Sequence, residues 1–342
     1  MEAQPSLSKS VRMNRAIVLA QQDEMSSDES VFVIGEDVGA AGGVFKATLG
    51  LLEEFGPERV CDTPISEMAF LGLGVGAAMS GMRPVVEIMF AEFLGVCLDQ
   101  LVTEAALMCY LSAGAFNVPL TVRVSGGAGL GFGAQHSQTL ETWLMSAPGL
   151  KVVVPSDPAS AYGLLRASIR DNDPVVFLEP RALYATRGVV ERSEAAIVPL
   201  GQAAHKSRGD TVTLVGLGST VSTCIEAAQI VGSRVADVID LQTLKPWDVE
   251  TVEASVNRTG ALVIVEESPF TGGWGTDVAS RISSLCWPNL RGPVARVACP
   301  DTAVPFNHTL EQEFLPSVAK VLAAIEAVDR GQPYRSHRPA NV

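Results

Sequence analysis

Short apolar runs rich in β-branched residues alternate with longer segments of helical periodicity along almost the whole chain. This pattern is typical of parallel βα units, in which a helix follows each strand and packs back onto the sheet. The predicted strands are Val31–Ile34, Pro84–Met89, Leu120–Val124, Val152–Pro155, Val175–Leu178, Thr211–Val215, Val235–Ile239, Leu262–Val265 and Val294–Val297. The alternation therefore predicts an α/β fold with parallel sheets.

The alternation lapses between Pro180 and about Arg208, where the sequence becomes charged and weakly periodic. A chain of 342 residues also exceeds the size at which single cores usually stop growing, which is roughly 250 residues. We therefore expect a first domain over residues 1–190, a linker over 191–207 and a second domain over 208–342.

The composition indicates a subunit with large covered surfaces, because 47% of the residues are hydrophobic and only 18% are charged. The formal net charge of −13 argues against nucleic acid or an anionic membrane as a partner. The uncharged stretch 105–122 contains Gly114 and Pro119, so we interpret it as a helix leading into a strand and not as a membrane span. The six cysteines form no Cys-x-x-Cys pair and no secretion signal is evident, so we expect a cytoplasmic protein.

A glycine-rich helix is predicted after Ser66, with Gly72, Gly76 and Ser80 at a spacing of four. Each glycine weakens a helix by about 1 kcal/mol relative to alanine, so this helix needs a compensating contact. We expect a tight helix crossing at a subunit interface, and packing on the chain's own sheet is the alternative. Glu67, in the first turn, follows a strand end where α/β proteins bind ligands, but composition alone favours a carboxylate that interacts with the helix dipole.

Six collinear segments resemble the beta subunits of the thiamin-diphosphate-dependent decarboxylating component of 2-oxo acid dehydrogenase complexes, the family of pyruvate, branched-chain 2-oxo acid and acetoin dehydrogenases. The segments are VFVIGEDV (31–38), RVCDTPISEMAFLGLGVGAAMSGMRPVVEIMFAEF (59–93), GFGAQHSQTLETWLMSAPGLKVVVPSDP (131–158), ASIRDNDPVVFLEP (167–180), DLQTLKPWD (240–248) and PDTAVPF (300–306). The resemblance implies a two-domain transketolase-like fold, with an amino-terminal pyrimidine-binding domain and a carboxy-terminal transketolase-like domain.

The resemblance implies that Glu67 faces the aminopyrimidine of thiamin diphosphate. A hydrogen bond from an acid to the ring nitrogen stabilises the imino tautomer on which activation of this cofactor depends. Ile65, Met89 and Phe93 match the positions that wall the pyrimidine and keep it dry. Glu36 matches a polar position near the cofactor channel, although a solvated carboxylate at a strand end is its ordinary interpretation.

His136 matches the active-site histidine of the family and lies in a glycine-rich loop, SGGAGLGFGAQHSQ (125–138), whose glycines let the backbone approach a ligand. The resemblance implies that it donates a proton or hydrogen bond during acyl transfer to lipoamide. The family also binds a structural potassium ion through a tight turn. The matching positions, rich in hard oxygen donors, are Leu120, Ser168, Ile169, Asp171 and Asp173.

Thiamin enzymes hold the diphosphate through a divalent ion that is bound by a Gly-Asp-Gly motif. The sequence contains no Gly-Asp-Gly motif, so the diphosphate half of the cofactor site is missing. The magnesium ligands are therefore expected on an alpha subunit, in a heterotetramer of two alpha and two beta subunits (α2β2). The resemblance further implies a lipoyl-bearing acyltransferase component as partner and a small 2-oxo acid or acetoin as substrate. Alone, the chain is expected to be inactive.

Three other interpretations of the sequence are possible. VGLGSTV (215–221) follows a predicted strand as a dinucleotide-binding loop does, but it lacks the third glycine. A structural subunit with decayed catalytic residues is disfavoured by the presence of both Glu67 and His136. A thiamin-dependent acyloin-forming or transketolase-like enzyme without a lipoyl acceptor remains open, as does the identity of the substrate.

Overall fold

The structure is a computed structural model, and it describes residues 9–335 apart from Ser233. The chain divides into two compact units. The first contains the described residues up to Gly126 together with Trp143–Leu200, and the second contains Gly127–Thr142 together with the described residues from Gly201 onward. The division expected from the sequence, with a linker over 191–207, assigns residues 127–142 to the first domain, whereas the structure places them in the second unit. Periodicity along a chain carries no information on which unit a connecting loop packs against.

The described residues of the first unit form eight strands and most of the first seven helices. The elements are β1 (Lys9–Arg12), α1 (Met13–Ser27), β2 (Val31–Gly35), α2 (Leu51–Phe55), β3 (Val60–Asp62), α3 (Glu67–Met79), β4 (Arg83–Ile88), α4 (Leu94–Asp99), α5 (Ala106–Leu111), β5 (Thr121–Gly126), α6 (Glu141–Met145, which spans the division), β6 (Lys151–Val153), α7 (Pro158–Arg170), β7 (Val175–Pro180) and β8 (Arg187–Val190). A 3-10 turn (Ala91–Phe93) precedes α4 and a π-helical turn (Gln100–Ala105) joins it to α5, so Ala91–Leu111 is one continuous helical segment.

The main sheet of this unit has the strand order β6–β7–β5–β4–β2–β3, and every neighbouring pair is parallel. The predicted parallel α/β fold is thereby confirmed. β1 and β8 form a separate antiparallel ribbon. The core lies between the sheet and helices α1 and α7, where Met13, Ile17, Val33 and Phe177 are fully buried.

A buried ion network ties three central strands together. The guanidinium of Arg123 in β5 bonds Glu87 of β4 at 2.6 Å and Glu179 of β7 at 2.7 and 3.0 Å. The Tyr184 hydroxyl donates to the same Glu179 carboxylate at 2.5 Å. Removing one partner from such a network typically costs roughly 3–5 kcal/mol, because it leaves a charge buried without its counter-charge.

The second unit is a smaller α/β domain. Its elements are β9 (Ala204–Ser207), β10 (Val212–Gly216), α8 (Thr220–Val231), β11 (Ala236–Asp240), β12 (Thr243–Lys245), α9 (Val249–Thr259), β13 (Leu262–Pro269), α10 (Gly275–Leu285), β14 (Ala295–Cys299), α11 (His308–Phe314) and α12 (Val318–Asp329). Its five-stranded sheet has the order β14–β13–β10–β11–β9, with only β9 antiparallel to its neighbour. Helices α8 and α12 cover one face over Leu214, Val263 and Val297.

Two helices of the first unit leave apolar surface uncovered. Among the described residues, Ala91–Leu111 is the helical segment long and apolar enough to cross a membrane by length and composition, criteria that interface helices also meet. Its side chains Val96, Tyr110 and Leu111 are exposed by 62%, 84% and 67%. In α3 the side chain of Leu73 is exposed as well.

The small residues of α3 have two different environments. A Cβ on Gly72 would lie 2.8 Å from the Gln100 side chain, and one on Gly74 would lie 2.8 Å from Val86, so these glycines permit close packing within the chain. A Cβ on Gly76 would meet nothing within 4 Å. The alternative of packing on the chain's own sheet therefore holds for Gly74, while the face carrying Leu73 and Gly76 is open.

Candidate active site

The predicted cofactor-binding residues follow three adjacent parallel strands. β2 lies between β3 and β4, and the strand ends are level, because Gly35 pairs with both Asp62 and Glu87. Glu36 directly follows β2, Ile65 follows β3 by three residues and Met89 directly follows β4. The carboxyl ends of neighbouring parallel strands are the usual ligand-binding edge of such a sheet. The structure therefore brings these residues to one edge of the first unit.

Glu67 is the first residue of α3, as predicted. Ser66 occupies the N-cap position, but its hydroxyl donates to the Pro64 carbonyl at 3.1 Å and does not cap the helix. Glu67 is half-buried, and the thiol of Cys97 lies in its electrostatic field: burial and the Glu67 charge raise the pKa of Cys97 to about 12. No side chain caps the start of α3, and the Glu67 carboxylate lies there, at the sheet edge.

Glu36 is buried, with 7% of its surface exposed, so its interpretation as a solvated strand-end carboxylate is wrong. Burial and the charge of Glu67 raise the pKa of Glu36, while a backbone hydrogen bond from Ser66 lowers it. The Oε1 atom of Glu36 has no hydrogen-bond partner among the described residues. A buried polar atom left unsatisfied costs about 1–3 kcal/mol, and such atoms mark places where a ligand can supply the missing bond.

Of the three residues predicted to form an apolar wall, two are half-buried and one is exposed. Met89 and Phe93 are half-buried, and the Phe93 ring packs edge-on against Phe90 with centroids 5.6 Å apart. Ile65, in contrast, is 86% exposed. Sequence reasoning missed Cys97 as a neighbour of this wall, although its position one helical turn after Phe93 was a usable signal.

His136 belongs to the second unit, in the loop that connects β5 to α6. Four glycines of this loop, Gly127, Gly129, Gly131 and Gly133, adopt φ angles between 71° and 102°, which side-chain-bearing residues rarely adopt. The His136 amide donates to the Gly133 carbonyl at 3.3 Å. The prediction that glycines shape this loop is confirmed, while the chemical role of His136 stays a prediction.

A cavity of about 410 Å³ is lined by the residues on either side of His136, which are 134, 135 and 137–139, and by residues of β13, α11 and the 302–304 loop. Its wall includes the buried Ser137 hydroxyl, which has no hydrogen-bond partner among the described residues, and the Glu267 carboxylate. Nearby, burial and the charges of Glu267 and Glu266 raise the pKa of Glu141 to about 7. No motif predicted the approach of Glu141 to Glu266 and Glu267, because Glu141 lies far from these two residues in the sequence.

The predicted potassium ligands meet at one corner of the first unit, because β5 and β7 begin level there. The carbonyl oxygens of Ile169 and Asp171 accept hydrogen bonds from Arg83 at 3.1 and 2.9 Å. The Lys151 ammonium pairs with the carboxylates of Asp171 at 2.7 Å and Asp173 at 3.0 Å.

The oxygen donor set suits an alkali cation, since a carbonyl oxygen has two lone pairs and can bond Arg83 and an ion together. Two protein cations already neutralise this corner, however. Among the described residues, no cluster of three or more His, Cys, Asp or Glu side chains could hold a metal ion.

Comparison with known proteins gives two domain matches. Residues 9–187 match the transketolase pyrimidine-binding domain, and residues 201–321 match the transketolase carboxy-terminal domain. The fold is similar to that of a solved "split gene transketolase, inactive beta4 tetramer", with a TM-score of 0.74 at 22% identity over 94% of this chain and 99% of that one. The two-domain transketolase-like fold is therefore confirmed.

Relatives that match about nine-tenths of the chain identify the family more specifically. The chain is 42% identical over 90% of its length to the pyruvate dehydrogenase E1 component subunit beta of Rhizobium meliloti (strain 1021), covering 68% of that protein. It is 40% identical over 93% of its length to the acetoin:2,6-dichlorophenolindophenol oxidoreductase subunit beta of Bacillus subtilis (strain 168), covering 96% of it. It is 41% identical over 91% of its length to the 2-oxoisovalerate dehydrogenase subunit beta of the same organism, again covering 96%. The chain therefore belongs to the family of thiamin-dependent dehydrogenase beta subunits that act in pyruvate, branched-chain 2-oxo acid and acetoin dehydrogenases.

Proposed function

We propose that this chain is the beta subunit of a heterotetrameric, thiamin-diphosphate-dependent oxidoreductase that acts on a 2-oxo acid or acetoin and passes the acyl group to lipoamide. The observation that carries the proposal is the buried carboxyl group of Glu36, which accepts a backbone hydrogen bond from Ser66, next to Glu67, at the carboxyl edge of a parallel sheet. A buried acid with an unsatisfied oxygen fits a site that binds a polar heterocycle. The six free cysteines support a reducing compartment, and we place the protein in the cytoplasm.

Thiamin diphosphate, when bound, supplies the nucleophilic carbon that cleaves the bond next to the substrate's carbonyl group. Glu67 would share a proton with the pyrimidine nitrogen, and burial together with the Glu67 charge raises the pKa of Glu36. Met89 and Phe93 would exclude water from the ring. Magnesium would be held by the partner alpha subunit, since the described residues offer no acidic or histidine cluster for it.

His136 would act at the second stage, acyl transfer to a lipoyl-bearing acyltransferase component. Transfer breaks the lipoyl disulfide, and the departing sulfur must receive a proton. The chain neighbours of His136, Gln135 and Ser137, line a cavity of the second unit, so the histidine lies in a loop next to a space that a flexible arm could enter. The role of this chain is therefore to supply one acid for the cofactor and one proton donor for the acceptor.

Assembly with an alpha subunit is the first prediction. The open face of α3 and the exposed side chains Val96, Tyr110 and Leu111 supply apolar surface that a second subunit would cover. Co-expression with a candidate alpha subunit should give a heterotetramer of two alpha and two beta subunits by light scattering. Turnover on pyruvate, branched 2-oxo acids or acetoin should require both chains. Thiamin-dependent turnover by this chain alone would contradict the proposal.

Potassium binding at the corner of Leu120, Ser168, Ile169, Asp171 and Asp173 is the second prediction. Backbone carbonyls and the carboxylates of Asp171 and Asp173 are hard oxygen donors, and an ion that binds only the folded state raises its stability by mass action. The melting temperature of the complex should therefore be a few degrees higher in potassium chloride than in lithium chloride at equal ionic strength. Equal melting temperatures would show that Arg83 and Lys151 hold this corner without an ion.

A further inference from the structure

The loop that carries His136 is anchored by a carboxylate far away in sequence. Glu311, in α11, is fully buried. Its Oε1 atom accepts the amide of Gly129 at 2.8 Å and that of Gly131 at 3.2 Å, while Oε2 accepts the Gly131 amide at 3.1 Å. All of these residues belong to the second unit.

A second carboxylate holds the beginning of the same loop. Glu267 accepts the amide of Ala128 at 2.6 Å, and the Gly127 amide donates to the Gln138 carbonyl at 3.1 Å, which closes the loop at its base. Glu267 also lines the cavity beside His136, so it can contact whatever enters there. Glu311 does not line that cavity, and the atoms it bonds are backbone amides.

The loop needs such anchors because its glycines have an unusually large conformational freedom to lose. Bonds from backbone amides to a carboxylate are roughly twice as strong as bonds between neutral groups. Between the anchored Gly131 and His136 lies a single turn, in which the His136 amide bonds the Gly133 carbonyl. Fixing Gly129 and Gly131 therefore fixes the position from which the histidine side chain projects.

We propose that Glu311 is a positioning residue: its buried carboxylate holds the glycine loop so that His136 is presented in one orientation for acyl transfer. This inference rests on the proposed function for its chemical consequence, but the loop anchor itself is a property of this chain alone. Nothing in the sequence near His136 points to Glu311, because 182 residues separate it from Gly129.

Three variants test the inference. Glu311→Ala removes all the acceptors, whereas Glu311→Gln keeps one oxygen, which can still accept the amides that Oε1 now accepts. Glu313→Gln is the matched control, because it makes the same chemical change on an exposed residue of the same helix. Hydrogen exchange of α12 and β13 reports whether each variant keeps its fold.

The first measurement is amide hydrogen exchange of residues 128–133 in the purified complex. Loss of a typical hydrogen bond should speed exchange at Gly129 and Gly131 by about 10-fold in Glu311→Ala, less in Glu311→Gln, and not at all in Glu313→Gln. Unchanged protection of this loop in a folded Glu311→Ala variant would overturn the anchor.

The second measurement separates positioning from a merely structural role. In Glu311→Ala, kcat for acylation of a lipoyl domain should fall by about 100-fold, with KM for that domain unchanged, because a small displacement of a catalytic group is costly. Glu311→Gln should recover most of this loss, and dye-coupled decarboxylation should change by no more than about threefold. Equal losses in both assays would overturn the positioning role. If the wild-type enzyme acylates no lipoyl domain, the proposed function fails, and the exchange measurement still decides whether Glu311 anchors the loop.

Discussion

Glu67→Gln is expected to reduce turnover of the reconstituted enzyme by about a thousandfold while leaving the fold intact. An amide cannot exchange a proton with the pyrimidine nitrogen, and removing an interaction of about 4 kcal/mol from the barrier corresponds to that factor. The fold should survive, because Glu67 is only half-buried and Ser66 already leaves the helix without a side-chain cap. Steady-state turnover and circular dichroism of the complex measure the two effects.

Glu53→Gln is the matched control for this prediction. Glu53 also lies in the first turn of a helix, α2, and it is exposed. If Glu67 served only the helix dipole, the two substitutions would have similar small effects of at most about 1 kcal/mol. A near-normal rate of hydrogen–deuterium exchange at the cofactor's reactive carbon in Glu67→Gln would contradict the catalytic role.

His136→Ala is expected to slow acyl transfer to a lipoyl domain by roughly 10²- to 10⁴-fold, the range typical of a lost general acid. Decarboxylation coupled to an artificial electron acceptor breaks no disulfide, so its rate should change far less. Both assays are run on one preparation with the cofactor bound, and the effect is measured as the ratio of the acyl-transfer rate to the dye-coupled decarboxylation rate.

His308→Ala, at an exposed histidine at the start of α11, serves as the control and should affect neither assay. Equal losses in both assays for His136→Ala would place this residue in substrate binding or carbanion formation. That result would favour the alternative of an acyloin-forming or transketolase-like enzyme without a lipoyl acceptor.

The sequence predicted those features that depend on local pattern. Alternating periodicity located the parallel strands, and the position of Glu67 after a Pro-containing turn placed it at the start of a helix. Local pattern could not show that Glu36 is buried, because burial depends on how β2, β3 and β4 are ordered in the sheet.

Long-range contacts account for the rest. Residues 127–142 pack in the second unit, where Glu311 accepts amides from a loop 182 residues earlier. Arg83 reaches the predicted potassium corner from β4, 88 residues before Asp171. No periodicity or motif encodes such pairs, since each depends on the fold being complete.

The Arg123 network also favours one register of the central strands. Side chains alternate between the two faces of a strand, so a slip of β5 by one residue would turn Arg123 away from Glu87 and Glu179. Both acids would then be buried without a counter-charge, and the misaligned sheet would be strongly disfavoured. The register that neutralises them also lets the Ser125 hydroxyl of β5 reach the Met89 carbonyl beside the candidate site. The contacts that select the correct register of β5 therefore also position the backbone at the binding edge of the sheet.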